Sequence, residues 1–266
     1  MDDCIELISA HGRARVSRQG AQVLEAEIGG QPLLWLSPLA STEAGKPVRG
    51  GVPVCFPWFG KHPDGLPAHG FARNQAWVVQ TQQADRVVLA LQDSPEGRAL
   101  WPHAFRLELA ISLDERLQFE LSVENLDTQP FSFSYALHSY FAVTDSRHCT
   151  VEGLSGRLRR EVGHVTTPHH GAVLLAQPID AVFETAPGNL QLLDGQREIV
   201  VGGEGMRSAV VWNPGMHAEG IPDIGPHWTE YVCLERGNIG VAAVTLAPAG
   251  RHVASMWLES RLRQPG

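Results

Sequence analysis

FRLELAISLDERLQFELSVENLDTQPFSFSYAL, residues 105–137, decides the fold class. Phe105, Leu107, Leu109, Ile111 and Leu113 fall on alternate positions, so they share one face of an extended strand. Asp114-Glu115-Arg116 turns the chain, and Leu117, Phe119, Leu121 and Val123 alternate in the same way. Asn125–Gln129 turns it again, and Phe131, Phe133, Tyr135 and Leu137 predict a third strand. Apolar residues on one face and polar residues on the other describe antiparallel strands laid on a core. Three such strands without intervening helix predict a β-meander within an all-β, large antiparallel β-sandwich.

Outward from this stretch the same period dominates. Residues 13–28 alternate loosely towards the Gly29-Gly30 turn, and Leu33–Leu36 runs on from it. Trp77–Val79, Val87–Leu91, Ala209–Trp212, Tyr231–Leu234, Ala242–Leu246 and Ala254–Leu258 read as further strands, with a weaker pattern between 151 and 201. Twenty-seven glycines and 18 prolines interrupt the windows in which a long helix could form, leaving a few short helical turns. The clearest is Ser94-Pro95-Glu96, an N-cap, an N1 proline and a first-turn acid, ending by Pro102. No linker, low-complexity tract or 20–50-residue repeat divides the 266 residues, so one domain over residues 1–266 is expected.

The net charge of −8 argues against a general nucleic-acid or membrane-surface binder, and Arg13/Arg15/Arg18 and Arg157/Arg159/Arg160 read as solvated strand faces. The N-terminus has acidic residues and no apolar run of signal-peptide type, and no stretch nears the ~18 apolar residues of a membrane span. Cys4, Cys55, Cys149 and Cys233 are scattered without a C-x-x-C pair, which fits free thiols in the cytoplasm. No obvious exposed apolar stripe is visible, which leans towards a monomer.

Chemistry concentrates between Val48 and Arg73, VRGGVPVCFPWFGKHPDGLPAHGFAR. Gly50-Gly51 permits positive φ and close approach of the backbone to a ligand. Four prolines keep the chain extended or turning around Cys55, Phe56, Trp58 and Phe59. Arg49 and Arg73 bracket the segment, with His69 near the second, and an arginine fork suits a carboxylate or phosphate. Period-two alternation puts His138 opposite the core-facing row, beside Ser132, Ser134, Ala136 and Tyr140, which leave room for a ligand. Glu235 shares a face with Tyr231 and Cys233; desolvation there would raise its pKa and suit a general base, while an ion pair with Arg236 or another arginine is the structural alternative. His169-His170 and the His217–His227 region have no H-x-H, H-E-x-x-H or carboxylate-flanked spacing, so neither a metal nor another cofactor is expected.

Residues 49–60 (RGGVPVCFPWFG), 67–73 (PAHGFAR), 101–105 (WPHAF), 131–133 (FSF), 136–141 (ALHSYF), 211–214 (VWNP) and 233–235 (CLE) together resemble the hexose-6-phosphate mutarotases. These are the glucose-6-phosphate 1-epimerases of the aldose 1-epimerase superfamily. The blocks occur in that family's order across nearly the whole chain. The resemblance implies a galactose-mutarotase-type supersandwich with a sugar cleft on one sheet. It implies His138 as catalytic acid and Glu235 as catalytic base, with Arg49, His69, Arg73 and Asp180 binding substrate. Where some relatives carry glutamine ahead of H-G-F-A-R this chain has Ala68, so that contact is not expected. The implied reaction is interconversion of the α and β anomers of a hexose 6-phosphate, a small-molecule substrate, without cofactor. A glycoside hydrolase would want two flanking carboxylates instead of a histidine and a glutamate. A non-catalytic sugar-phosphate sensor would have no need of an acid–base pair.

Overall fold

The computed structural model describes residues 4–41, 43–161, 165–195 and 197–263. Two large sheets dominate them. Nine strands form one, in the order Val173–Leu174, Thr150–Glu152, Asn189–Asp194, Arg197–Glu204, Arg251–Leu262, Leu117–Asn125, Phe105–Leu113, Arg86–Gln92 and Val78–Gln82. The other runs Thr167–Pro168, Leu158–Glu161, Ile179–Phe183, Ser208–Asn213, Tyr231–Asn238, Tyr135–Leu137 and Val54–Cys55, with Tyr140–Ala142 also paired to Tyr231–Asn238. All these pairings are antiparallel. A four-stranded sheet from residues 4–32 lies alongside, with Arg13–Glu27 and Arg15–Glu25 ion pairs across its outer face. Among the described residues, no helix is long and apolar enough to cross a membrane.

The alternating rows behave as read. Phe105, Leu107, Leu109, Ile111 and Leu113 are buried, as are Leu117, Phe119, Leu121 and Val123. They pack with Met256, Leu258, Val211, Val232 and Leu234 into a single apolar cluster contributed by both large sheets. The helical turn is also where expected: Pro95–Leu100 is α-helical, with the Ser94 hydroxyl accepting a hydrogen bond from the Gly97 amide.

The third strand of the meander is corrected. The stretch 131–137 splits at Ser134, whose amide donates to the Pro57 carbonyl. Phe131–Phe133 pairs with Val244–Leu246, and Tyr135–Leu137 crosses to the other large sheet to pair with Tyr231–Asn238 and Val54–Cys55. The strands flanking the 105–125 hairpin are Arg86–Gln92 and Arg251–Leu262. Alternation reports which face is buried and is silent about which strand is the neighbour. The crossing carries His138 away from the meander and onto the outer face of the second sheet.

Gly50 and Gly51 do take positive φ, 115° and 61°, but the close approach is internal. A Cβ on Gly51 would stand 2.0 Å from the Val23 carbonyl oxygen, and one on Gly50 would stand 2.5 Å from that of Trp35. The glycines let this strand press against its neighbours and so aim Arg49. Gln22 reinforces the fit, donating to the carbonyls of Val48 and Gly50 at 3.1 and 2.7 Å.

Candidate active site

Strand Tyr231–Asn238 is buried along its whole length and supplies the centre of the site. Alternation turns Arg236 into the molecule, where its guanidinium donates to the carbonyls of Pro187 and Met206. Burial lowers the Arg236 pKa to about 10. Glu235 points the other way, so the Glu235–Arg236 ion pair weighed from sequence does not form. Leu137 pairs with Arg236, which brings the next residue, His138, beside Glu235. His138 Nε2 lies 3.3 Å from Glu235 Oε1, and the two side chains are 9% and 1% exposed.

Aromatic rings fix the histidine. Tyr140 stacks on it with centroids 4.8 Å apart and planes at 7°, while Trp212 and His69 meet it edge-on at 6.0 and 5.7 Å. The Tyr140 hydroxyl accepts from Arg49 Nη1 at 2.8 Å, and Arg49 Nε donates to Asp223 Oδ2 at 3.1 Å. Asp223 is tied in turn by the Ser37 hydroxyl on its backbone carbonyl. Among the described residues, His138 Nδ1 and Glu235 Oε2 are buried without a hydrogen-bond partner, an expensive state for polar atoms. Burial first, and then the neighbouring His69, Arg49 and Arg73, hold the His138 pKa well below its ordinary value. Burial, with Asp180 adding to it, holds that of Glu235 well above.

These groups open onto a cleft of about 1010 Å³ that includes Arg49, Phe59, Lys61, His69, His138, Arg160, Asp180, Trp212 and Glu235 in its lining. Val182, Val210 and Ile239 give it an apolar floor. His69 sits at positive φ (64°) after its amide bonds to the Gly60 carbonyl, which turns its ring into the wall. Burial, Arg73 and Arg49 lower its pKa to about 4. Asp180 pairs across the sheet with Trp212 and also faces the cleft; burial and Glu161 raise its pKa, opposed by Arg160.

Five of the six residues singled out from sequence therefore line one cleft. The sixth, Arg73, stands behind the wall: its guanidinium donates to the Ala68 carbonyl and its charge is felt by His69, His138 and Glu235. Arg160, read from sequence as part of a solvated face, is a cleft residue; only its pairing with Val182 reveals this. Asp223 was also missed, since nothing in its local sequence signals a partner 174 residues away. His169 and His170 line a separate depression with Arg159 and Glu161. Among the described residues no group of three or more His, Cys, Asp or Glu is arranged to hold a metal ion.

Known proteins resemble the chain throughout its length. It is 32% identical over 241 residues to a Cenchrus ciliaris protein provisionally named glucose-6-phosphate 1-epimerase, covering 82% of this chain and 72% of the relative. An Escherichia coli protein of the same provisional name is 33% identical over 240 residues, 84% and 79% of the two chains. A crystal structure of a provisionally named mutarotase from Salmonella typhimurium superposes with a TM-score of 0.88 at 29% identity, over 99% of this chain and 92% of that one. A galactose mutarotase related enzyme from Lactobacillus acidophilus has the same fold, with a TM-score of 0.80 at 16% identity over 97% of both chains. The family model for aldose 1-epimerase matches residues 3–259, which takes in the crossing strand, both members of the buried pair and the cleft between them, and the chain belongs to that family.

Proposed function

We propose that this aldose epimerase acts on hexose 6-phosphates, glucose 6-phosphate foremost, as a glucose-6-phosphate 1-epimerase. The observation that carries the reading is the buried His138–Glu235 pair opening onto a cleft whose lining includes the cations Arg49, Lys61 and Arg160. In the opening step Glu235 takes the proton of the C1 hydroxyl while His138 gives a proton to the ring oxygen. The C1–O5 bond breaks, leaving an aldehyde at C1 and a hydroxyl at C5. Rotation about C1–C2 presents the other carbonyl face, and closure returns both protons. The pair holds one proton before and after; it has moved from histidine to glutamate and moves back on closure. A glutamate with a raised pKa is a stronger base, and a histidinium with a lowered pKa is a stronger acid. The same shifts favour the pair with its proton on Glu235, so the histidinium–carboxylate form that starts ring opening is the higher-energy one, and closure, with Glu235 as acid and His138 as base, starts from the favoured one.

Ring geometry supports where the phosphate goes. With Glu235 at C1 and His138 at the ring oxygen, C5 and its C6 substituent extend past His138. On that side lie Arg49 and His69, with Lys61 on the adjoining Gly60-Lys61 turn and the Arg73 charge behind. A dianionic phosphate there adds binding energy remote from the reacting bond, which holds the ring in register with the pair. His69 stays neutral at pH 7 and serves as a hydrogen-bonding wall. Free thiols at all four cysteines fit the cytoplasmic location expected from sequence.

Anomer equilibration followed by NMR tests the assignment. Glu235→Gln and His138→Asn should each slow it by about 10²–10⁴-fold, the usual worth of a positioned acid or base. Near-normal rates in folded variants would remove the pair from the mechanism.

A further inference from the structure

We infer that Asp223 and Tyr140 are positioning residues that hold the Arg49 guanidinium in one orientation, leaving its Nη2 group for the phosphate of the substrate. The inference rests on the proposed hexose 6-phosphate reading and deepens it, by naming what keeps the phosphate end of the cleft in shape.

A guanidinium is planar, so bonds at two of its three nitrogens fix both its place and its plane. At Arg49, Nε donates to Asp223 Oδ2 at 3.1 Å and Nη1 donates to the Tyr140 hydroxyl at 2.8 Å. Neither bond uses Nη2, whose two N–H groups stay available to an anion in the cleft that Arg49 lines. The anchors are themselves fixed. Tyr140 is buried, with its ring stacked on His138. Asp223 lies in the turn between the short helices Gly215–Gly220 and Gly225–Glu230, beside Ile224, which packs in one cluster with Trp35, Tyr140 and Tyr231. Ser37 ties this turn to Arg49. Its hydroxyl donates to the Asp223 carbonyl at 2.6 Å, and its amide donates to the Arg49 carbonyl at 3.1 Å.

Among the described residues, none between 215 and 230 lines the cleft, so the Asp223 carboxylate acts on substrate through Arg49. The two side chains of the pair are 26% and 32% exposed, and an ion pair this open to water adds little to stability. Its contribution is the aim of the guanidinium. An arginine free to rotate would have to be ordered by each substrate that binds, at a cost in affinity.

The test measures KM and kcat for anomer equilibration of glucose 6-phosphate in a double-mutant cycle. Arg49→Gln should raise KM by about tenfold or more, the loss expected for a charge-assisted hydrogen bond. Asp223→Ala should raise KM by about three- to tenfold with kcat little changed. Asp223→Asn, which keeps an oxygen for Nε, should recover most of that loss. Tyr140→Phe keeps the stacked ring, removes the hydroxyl and should also raise KM; it reads the same cycle if Asp223→Ala does not fold. In the Arg49→Gln background none of these substitutions should add to the loss, because nothing remains to be aimed. Losses that multiply with that of Arg49→Gln, an Asp223→Ala loss confined to kcat, or an unchanged KM in Arg49→Gln would overturn the inference and leave the anomerase reading standing. A wild-type protein that does not accelerate the equilibration would instead overturn the anomerase reading, and the inference with it.

Discussion

Glu235 is an acid that folding makes harder to ionise, and this has a sign. Its folded pKa lies above 4.5, so above that pH the folded state binds more protons than the unfolded state, and stability falls as pH rises. Glu235→Gln removes the ionisation and should raise the midpoint of urea unfolding at pH 8 while abolishing most of the activity. An unchanged or lower midpoint would mean that the carboxylate is not held against its charge. His69 has the opposite sign. Its folded pKa of about 4 lies below the ordinary 6.5, so the unfolded state binds the extra proton and stability is lost as pH falls from 6.5 towards 4. The shift corresponds to up to about 3 kcal/mol. His69→Gln should flatten that acid limb in unfolding free energies measured against pH; an equally steep limb would place the titration elsewhere. His138 and Glu235 were legible in sequence as members of alternating strands. Their mutual contact was not, because it depends on a crossing of the chain that no local pattern announces.

Elements were legible to the extent that their burial was one-sided. The hairpin at 105–125 and the capped turn at 95–100 are as the sequence describes them, since each follows from local alternation or a local cap. The split of 131–137 was not legible: both halves keep the same inward row, so Phe133 and Tyr135 are equally buried although they belong to different sheets. The Arg49-Gly50-Gly51 block was read as making room for ligand, whereas the room is needed by Val23, Leu24 and Trp35. Gly51→Ala should therefore cost well over 1 kcal/mol, combining positive φ with a backbone clash. Ser94→Ala should cost only about 1 kcal/mol, the worth of one N-cap. Chemical denaturation of the two variants side by side checks the ranking, and equal losses would show that the strand can shift at little cost.

At the scale of the whole molecule, two sheets share one core, and the outer face of one of them is left for chemistry. A central strand buried along its length lets one residue, Arg236, brace the interior while its neighbour Glu235 faces the cleft. The six residues read from sequence come from five separate stretches, around 49, 69–73, 138, 180 and 235, and the pairing of strands gathers five of them in the lining of a single cleft. Arg160 and Asp223 joined them only in three dimensions. The asymmetry of that cleft, with Arg49 and Lys61 past His138 and Arg160 at the far edge, is what should distinguish a phosphorylated sugar from a free one. The most direct measurement is the rate at which freshly dissolved α-glucose 6-phosphate reaches anomeric equilibrium with the protein, beside that of α-glucose, followed by NMR. Strong acceleration of the phosphate, with little for the free sugar, is the expected result. Equal acceleration of both would contradict the phosphate end of the cleft, and acceleration of neither would contradict the acid–base assignment itself.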